Sequence, residues 1–346
     1  MVKSYISESL PERFIKSHQL LLYYNDVIVD LLKLADEHRL SEISIPLEEK
    51  ESISVELSDE PIMCMLNNGH SKEAYKVTKS HIFFSLLTDF IYYMHESFSC
   101  SERGKVSVAF SISRKPIKDT LFYLCWLLAE PKEFINLLLY NEAGDYDITK
   151  LSEEVKKTIY KKSCERIANK KINYDHNLLF EIIYDRKSEI SLCGAWDMSA
   201  HLVTTNRNYP TNKGDLNFIF SSEEIWGDFW ELYYNKMPYI MDFMIEVAIT
   251  IFEEILTPDN VTVLFNRSMR NFKFTLSTMD TLGERFSAHY SEILEEIIIH
   301  CNFCYDQIPM SEDIKNEILY DFLFTCPHCQ SVERVGGYYI LNNQVN

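Results

Sequence analysis

Between Pro11 and Leu40 the apolar positions recur at helical spacing. Phe14, His18, Leu21, Ile28, Leu31, Leu32 and Ala35 fall three, four or seven residues apart and share one face. From Ile43 the period changes to two: Ile43 and Ile45, then Ile53, Val55 and Leu57, alternate with polar residues on either side of Leu47-Glu48-Glu49-Lys50-Glu51. That alternation predicts a short β hairpin over residues 43–57, capping one end of a helical body. Helical spacing returns from Lys72 to Phe98, with His81, Phe84, Leu87, Ile91 and Met94 on its apolar face. Beyond it Val106, Val108, Phe110 and Ile112 alternate like a strand, whereas Ile117, Leu121, Leu124, Trp126 and Leu128 read as buried helix. A single helix bent at Pro116 is the expectation, because proline removes one backbone bond and can kink a well-buried helix without ending it. Pro131 opens another short helix through Leu139.

Gly144 to Asp147 reads as a turn, and Thr149 as the cap of a basic helix that follows. Asn177–Tyr184 and Glu189–Val203 are further helical segments, and the polar stretch Thr204–Asp215 is a loop. Ser221 and Ser222 before Glu223 and Glu224 make a good helix start: serine oxygens accept free amide protons, and acids favour the positive end. The apolar pattern from Ile225 to Leu256 predicts two helices meeting near Pro238. Val261, Val263 and Phe265 suggest a brief extended piece, followed by a last long helix over Asp280–Ile299. No repeat or low-complexity linker interrupts the chain. The expected fold is mainly α: a multi-helix bundle over residues 1–299, carrying the hairpin, and a small C-terminal module over residues 300–346.

Composition narrows the classes of function. The 346 residues are 46% hydrophobic and 25% charged, and the 21 Tyr and 21 Phe supply bulky rings for a well-packed interior. A net charge of -18 argues against a general nucleic-acid coat or a protein of anionic membranes, since both need a positive field. The local exception runs from Lys150 to Lys171, with Lys156, Lys157, Lys161, Lys162, Arg166 and Lys170 spread around a helix, which reads as a solvated helix before it reads as an RNA contact. The opening Met1-Val2-Lys3-Ser4-Tyr5 has neither the apolar core nor the cleavage site of a secretory signal. No apolar run approaches the roughly 18 residues of a membrane span; the best, Leu121–Ala129, is far too short. Five of the nine cysteines (Cys64, Cys100, Cys125, Cys164 and Cys193) are scattered singly, which suits the reducing cytoplasm.

The other four are ordered. Cys301-Asn302-Phe303-Cys304 and Cys326-Pro327-His328-Cys329 are two CxxC pairs separated by 21 residues. Two intervening residues let the backbone turn so that both sulfurs face one tetrahedral ion. Two such knuckles supply four thiolates, a closed structural zinc site with no position for substrate water. His300 and His328 adjoin ligand cysteines, but the thiolates already complete the shell. Gly336-Gly337 before Tyr338-Tyr339-Ile340 suits a terminal hairpin strand, and the module resembles a zinc ribbon.

Two further segments carry a resemblance. Ser113-Arg114-Lys115-Pro116-Ile117-Lys118-Asp119, running into Leu121–Leu128, is similar to an Arg-plus-acid helix of bacterial helical families grouped with HEPN bundles; Asp197-Met198-Ser199-Ala200-His201 resembles a Ser-x-His helix end in the same families. Some HEPN proteins are toxin or antiphage RNases. The resemblance therefore implies a catalytic set of Arg114, Asp119 and His201, with an imidazole to move a proton and a guanidinium to hold phosphate. The Arg-x4-His spacing of HEPN nucleases occurs at Arg13 and His18, outside the resembling region of residues 75–255. The structural alternatives are a buried Arg114–Asp119 ion pair with His201 as a bonded core residue, and an exposed Arg13 beside a core-facing His18. Two functions are thus expected in competition: a HEPN-like RNase effector, or a non-enzymatic zinc-stabilised interaction protein or sensor. Helical bundles of this kind often pair, so a homodimer is expected, and RNA or another protein is the partner.

Overall fold

The computed structural model describes residues 9–42, 61–217 and 223–341. The hairpin expected over residues 43–57 and the helix start at Ser221 and Ser222 lie outside the described residues. The molecule is 67% helical, and its one sheet among the described residues is a two-stranded hairpin, so the mainly α expectation holds.

After a 3-10 turn at Glu12–Phe14, α1 (Ile15–Glu37) buries Leu20, Leu21, Tyr24, Val27, Ile28 and Leu31 along one stripe. Next come α2 (Pro61–Asn67) and α3 (Ser71–Glu102), the latter seating Phe83, Leu87, Phe90, Met94 and Phe98 in the core. The bent helix is present: α4 (Val106–Lys115) runs through a π turn at Pro116–Thr120 into α5 (Leu121–Ala129), with helical backbone at both junctions. In the π turn the Leu121 amide reaches back to the Pro116 carbonyl, so the helix absorbs the proline by widening one turn.

The chain continues through α6 (Pro131–Tyr140), α7 (Glu153–Arg166), α8 (His176–Tyr184) and α9 (Cys193–Ala200). Two boundaries differ from expectation. Ser152, not Thr149, caps α7 by accepting the Val155 amide, while Thr149 donates to Asp147 instead. The segment before α9 is not helical, because a turn at Ser188–Ser191 hands the Leu192 amide to the Ile182 carbonyl at 2.8 Å.

At the centre, α10 (Glu223–Leu256) is one helix rather than two and carries Pro238 inside it. An interior proline costs about 3 kcal/mol. Met237, Ile240, Met241, Phe243 and Met244 around it are all fully buried, at roughly 1.5–3 kcal/mol per side chain, so packing outweighs the break. Helices α1, α3, α4 and α5 surround this helix.

The extended piece expected at Val261–Phe265 is instead the start of α11 (Asn260–Thr278), capped by Asp259, whose carboxylate accepts the Val261 and Thr262 amides. This helix faces the body with Thr262, Asn266, Arg270 and Lys273 and leaves Val261, Leu264 and Phe265 66%, 59% and 47% exposed. Its amphipathicity is inverted, which is why its apolar residues misled.

The C-terminal part consists of α12 (Asp280–Glu295), α13 (Glu312–Asp321) and the hairpin of β1 (Leu323–Thr325) with β2 (Val332–Arg334), in register Phe324↔Glu333. A second small core of Leu276, Leu294, Ile308, Ile314, Ile318, Leu319 and Phe324 encloses Cys301 and Cys326. Tyr338–Ile340 is not a strand. Asp30 accepts the Tyr338 amide at 2.6 Å, and Asn266 exchanges two bonds with the Ile340 backbone at 2.7 and 2.8 Å, so side chains replace a ladder. Tyr338 and Tyr339 thereby join the main core, against Tyr23 and Phe252.

Candidate metal centre and catalytic cluster

The two CxxC segments fold alike. In each, the residue after the second cysteine turns left-handed (Tyr305 and Gln330, both φ 64°), and its amide bonds back to the first cysteine's carbonyl at 2.9 Å. The turn also aims the Phe303 and Cys304 amides at Cys301 Sγ, both at 3.4 Å, where they would stabilise a thiolate. The β1–β2 hairpin brackets the second knuckle, and α13 fills the stretch between the pairs. The result is that the four sulfurs of Cys301, Cys304, Cys326 and Cys329 all lie within 4.8 Å of one another and could hold a metal ion. Cys301 and Cys329 stand 3.6 Å apart, Cys304 and Cys326 3.7 Å, well beyond a disulfide bond of about 2.05 Å. The Ser331 hydroxyl and amide pull the Cys329 thiol down to about 6, whereas Cys304, against the opposing backbone bond at Asp306, goes up to about 12 through desolvation and the bonds to the other three cysteines. Glu333 fixes the loop from outside by accepting the Asn302 amide and side chain.

Arg114, at the end of α4, reaches Asp197 on α9 (Nη1 to Oδ1, 3.9 Å) rather than Asp119. Asp197 also holds Arg186 at 3.6 Å and accepts the Tyr209 hydroxyl at 2.8 Å. His201 lies one helical turn past Asp197, immediately after α9, and is exposed; its carbonyl accepts the Asn217 amide at 2.8 Å. It is therefore not a core histidine. Asp119 sits half-buried in the π turn. Burial raises its carboxyl above the usual range, against the pull of Lys118, Arg114 and Lys115. The structure thus joins Arg114 to the helix end bearing His201 through Asp197, and sets Asp119 within electrostatic reach of the same guanidinium.

The Arg13–His18 pair forms no site. His18 is fully buried, with Nδ1 3.0 Å from the Tyr234 hydroxyl and Nε2 3.1 Å from Glu102, whereas Arg13 is exposed and reaches Glu231 at 3.6 Å. The basic stretch is neutralised in part: Lys162 pairs with Glu130, Arg166 with Glu254, and Lys171 with Asp242.

Sequence reading missed the most heavily charged part of the interior. On α10, Glu246 accepts Arg270 Nε and Nη2 at 3.1 and 3.2 Å and Asn169 at 2.9 Å, while Asp242 accepts the Tyr24 and Tyr174 hydroxyls and Lys171. Burial tends to raise both carboxyls. In Glu246 the guanidinium and Lys171 win, leaving it below the usual range, whereas Asp242 stays above it. The i,i+4 pair Asp242 and Glu246 within an apolar run was the only available signal. No helix among the described residues is long and apolar enough to cross a membrane. The chain matches no family model, no curated protein and no solved structure.

Proposed function

We propose that the chain is a HEPN-like effector of the bacterial cytoplasm that cleaves RNA, with Arg114, Asp119 and His201 as its catalytic set. The observation that carries this reading is the Arg114–Asp197 contact, which brings the guanidinium to the helix end from which His201 projects into solvent. In this reading Arg114 neutralises the scissile phosphate. His201 takes the proton of the 2′-hydroxyl as its oxygen bonds to phosphorus. The 5′-oxygen leaves with a proton from solvent, while the Asp119 carboxylate acts on the Arg114 guanidinium electrostatically. Asp197 positions Arg114.

Zinc is the metal we assign to the cysteines. A tetrahedral Zn–S shell with bonds of about 2.3 Å has S···S edges of about 3.8 Å, against the 3.6 and 3.7 Å present here. Four thiolates leave no open position, so the ion is a staple, and free thiolates together with five lone cysteines suit a reducing compartment.

The second reading is a zinc-stabilised interaction protein or sensor. It draws on the exposed apolar stripe of α11, which would receive a second copy in a homodimer or another protein.

Induced expression in a bacterial host separates the two. Under the first reading the wild type arrests growth and fragments total RNA, and Arg114→Ala or His201→Ala relieves both while remaining soluble. Intact RNA, with the protein recovered in a stoichiometric complex or dimer that Leu264→Ser disrupts, supports the second.

A further inference from the structure

Beside Arg114, two lysines converge on one aromatic ring. Tyr184, at the end of α8, donates its hydroxyl to the Lys118 carbonyl in the π turn, which fastens the ring against that turn. The Lys118 ammonium stands 5.8 Å from the ring centroid, and the Lys156 ammonium, from α7, stands 5.1 Å from it. Both side chains are half-buried. Among the described residues neither ammonium has an ion-pair partner, whereas Lys79, Lys115, Lys162 and Lys171 each have one. What sets this pair apart is that both cations share one ring.

Three acids act on the pair electrostatically without forming an ion pair with either ammonium: Glu153, Asp119 and Asp147 all favour the Lys156 cation. Asp147 is also bonded to the Thr149 amide and hydroxyl and lies 4.0 Å from Lys150. Burial, then repulsion from Lys118, lowers the Lys156 ammonium from its usual value, a cost that an anion between the two would relieve.

We infer that Lys118 and Lys156 form a phosphate subsite that holds the backbone of single-stranded RNA next to Arg114. This rests on the RNA-cleaving reading, and it gives that reading a substrate contact outside the catalytic set. Lys118 sits in the π turn and its carbonyl accepts the Tyr184 hydroxyl, so the ring that Lys156 also approaches is fixed beside it. The aromatic ring holds both ammonium groups without neutralising them, since a ring face attracts a cation while leaving its charge available.

The test is binding of an uncleavable 2′-O-methyl oligoribonucleotide to the purified full-length chain over a range of salt, alongside cleavage of the unmodified RNA. Each lysine–phosphate contact contributes roughly 0.7 to the slope of log affinity against log salt for a single strand. Lys118→Ala/Lys156→Ala is therefore expected to flatten the slope by about 1.4 and to slow cleavage. The double arginine variant keeps the slope, and the exposed control Lys72→Ala leaves it unchanged. Should the double alanine variant fail to fold, Lys118→Gln and Lys156→Gln singly carry the same comparison. A folded double variant with the wild-type slope overturns the subsite, while RNA cleavage by the wild type leaves the catalytic reading standing. If the wild type neither binds nor cuts RNA, yet phosphorus NMR detects inorganic phosphate binding that the double variant loses, the subsite stands and the RNA reading falls. If neither ligand binds, both fall.

Discussion

Replacing Glu246 by alanine tests the buried network at its central joint. Glu246 is 1% exposed and accepts both Arg270 bonds, at 3.1 and 3.2 Å, with Asn169 and Lys171 beside them. Arg270 itself is 2% exposed, and its Nη1 has no hydrogen-bond partner among the described residues. Glu246→Ala therefore strands a guanidinium that cannot reach water, a change worth about 3–5 kcal/mol. Urea unfolding followed by circular dichroism should show the midpoint falling with little change in slope. Glu246→Gln keeps the shape and part of the bonding, so its cost is smaller, and it also isolates the pH dependence. The folded Glu246 carboxyl titrates below its ordinary value of 4.5, so its stabilisation is present above that pH and is lost as pH falls through the folded value. Wild type loses this component on acidification below about 4.5, and Glu246→Gln does not. A loss under 1 kcal/mol for Glu246→Ala, together with parallel acid limbs for wild type and Glu246→Gln, would refute the buried ion pair.

Three other outcomes are expected. Breaking the cysteine cluster with Cys326→Ser should expose the amides of Tyr338 and Ile340, which are bonded to Asp30 and Asn266, to fast hydrogen exchange while α10 stays protected; unchanged protection would mean that the tail docks without the cluster. Leu264→Ser, on the exposed side of α11, should change monomer stability by no more than about 0.5 kcal/mol, whereas Asn266→Leu, which loses both bonds to Ile340, should cost about 1–3 kcal/mol; equal effects in urea unfolding would contradict the inverted helix. Tyr174→Phe deletes the 2.6 Å hydroxyl bond to Asp242 and should cost about 1.5–3 kcal/mol, as a bond to a charged group does, measured in the same way.

The elements that were legible in the sequence are those whose apolar face is also their buried face. Helices α1, α3 and α5 bury most of the residues that their spacing singles out, His81 on α3 being exposed instead, and Pro116 bends a helix without ending it because a π turn absorbs it and Ile117 and Leu121 beyond it are fully buried. The paired CxxC motif announced its cluster because the chemistry is local: two residues between cysteines, then a left-handed turn at Tyr305 and Gln330. The errors have physical causes. Pro238 lies where surrounding burial exceeds the price of a lost backbone bond, and α11 buries its polar face, so hydrophobic periodicity pointed the wrong way.

By itself, then, the sequence determined the helical class and the cysteine quartet, since each follows from spacing within a few turns, while Arg114, Asp119 and His201 entered only through a family resemblance. Tertiary structure alone decided what those residues meet. It paired Arg114 with Asp197, 83 positions away in sequence but adjacent in space. It buried His18 between Tyr234 and Glu102, and it gathered Asp242, Glu246, Lys171 and Arg270 into one interior network. Electrostatic partnership inside a helical bundle depends on which faces pack together, and a linear pattern carries little of that information.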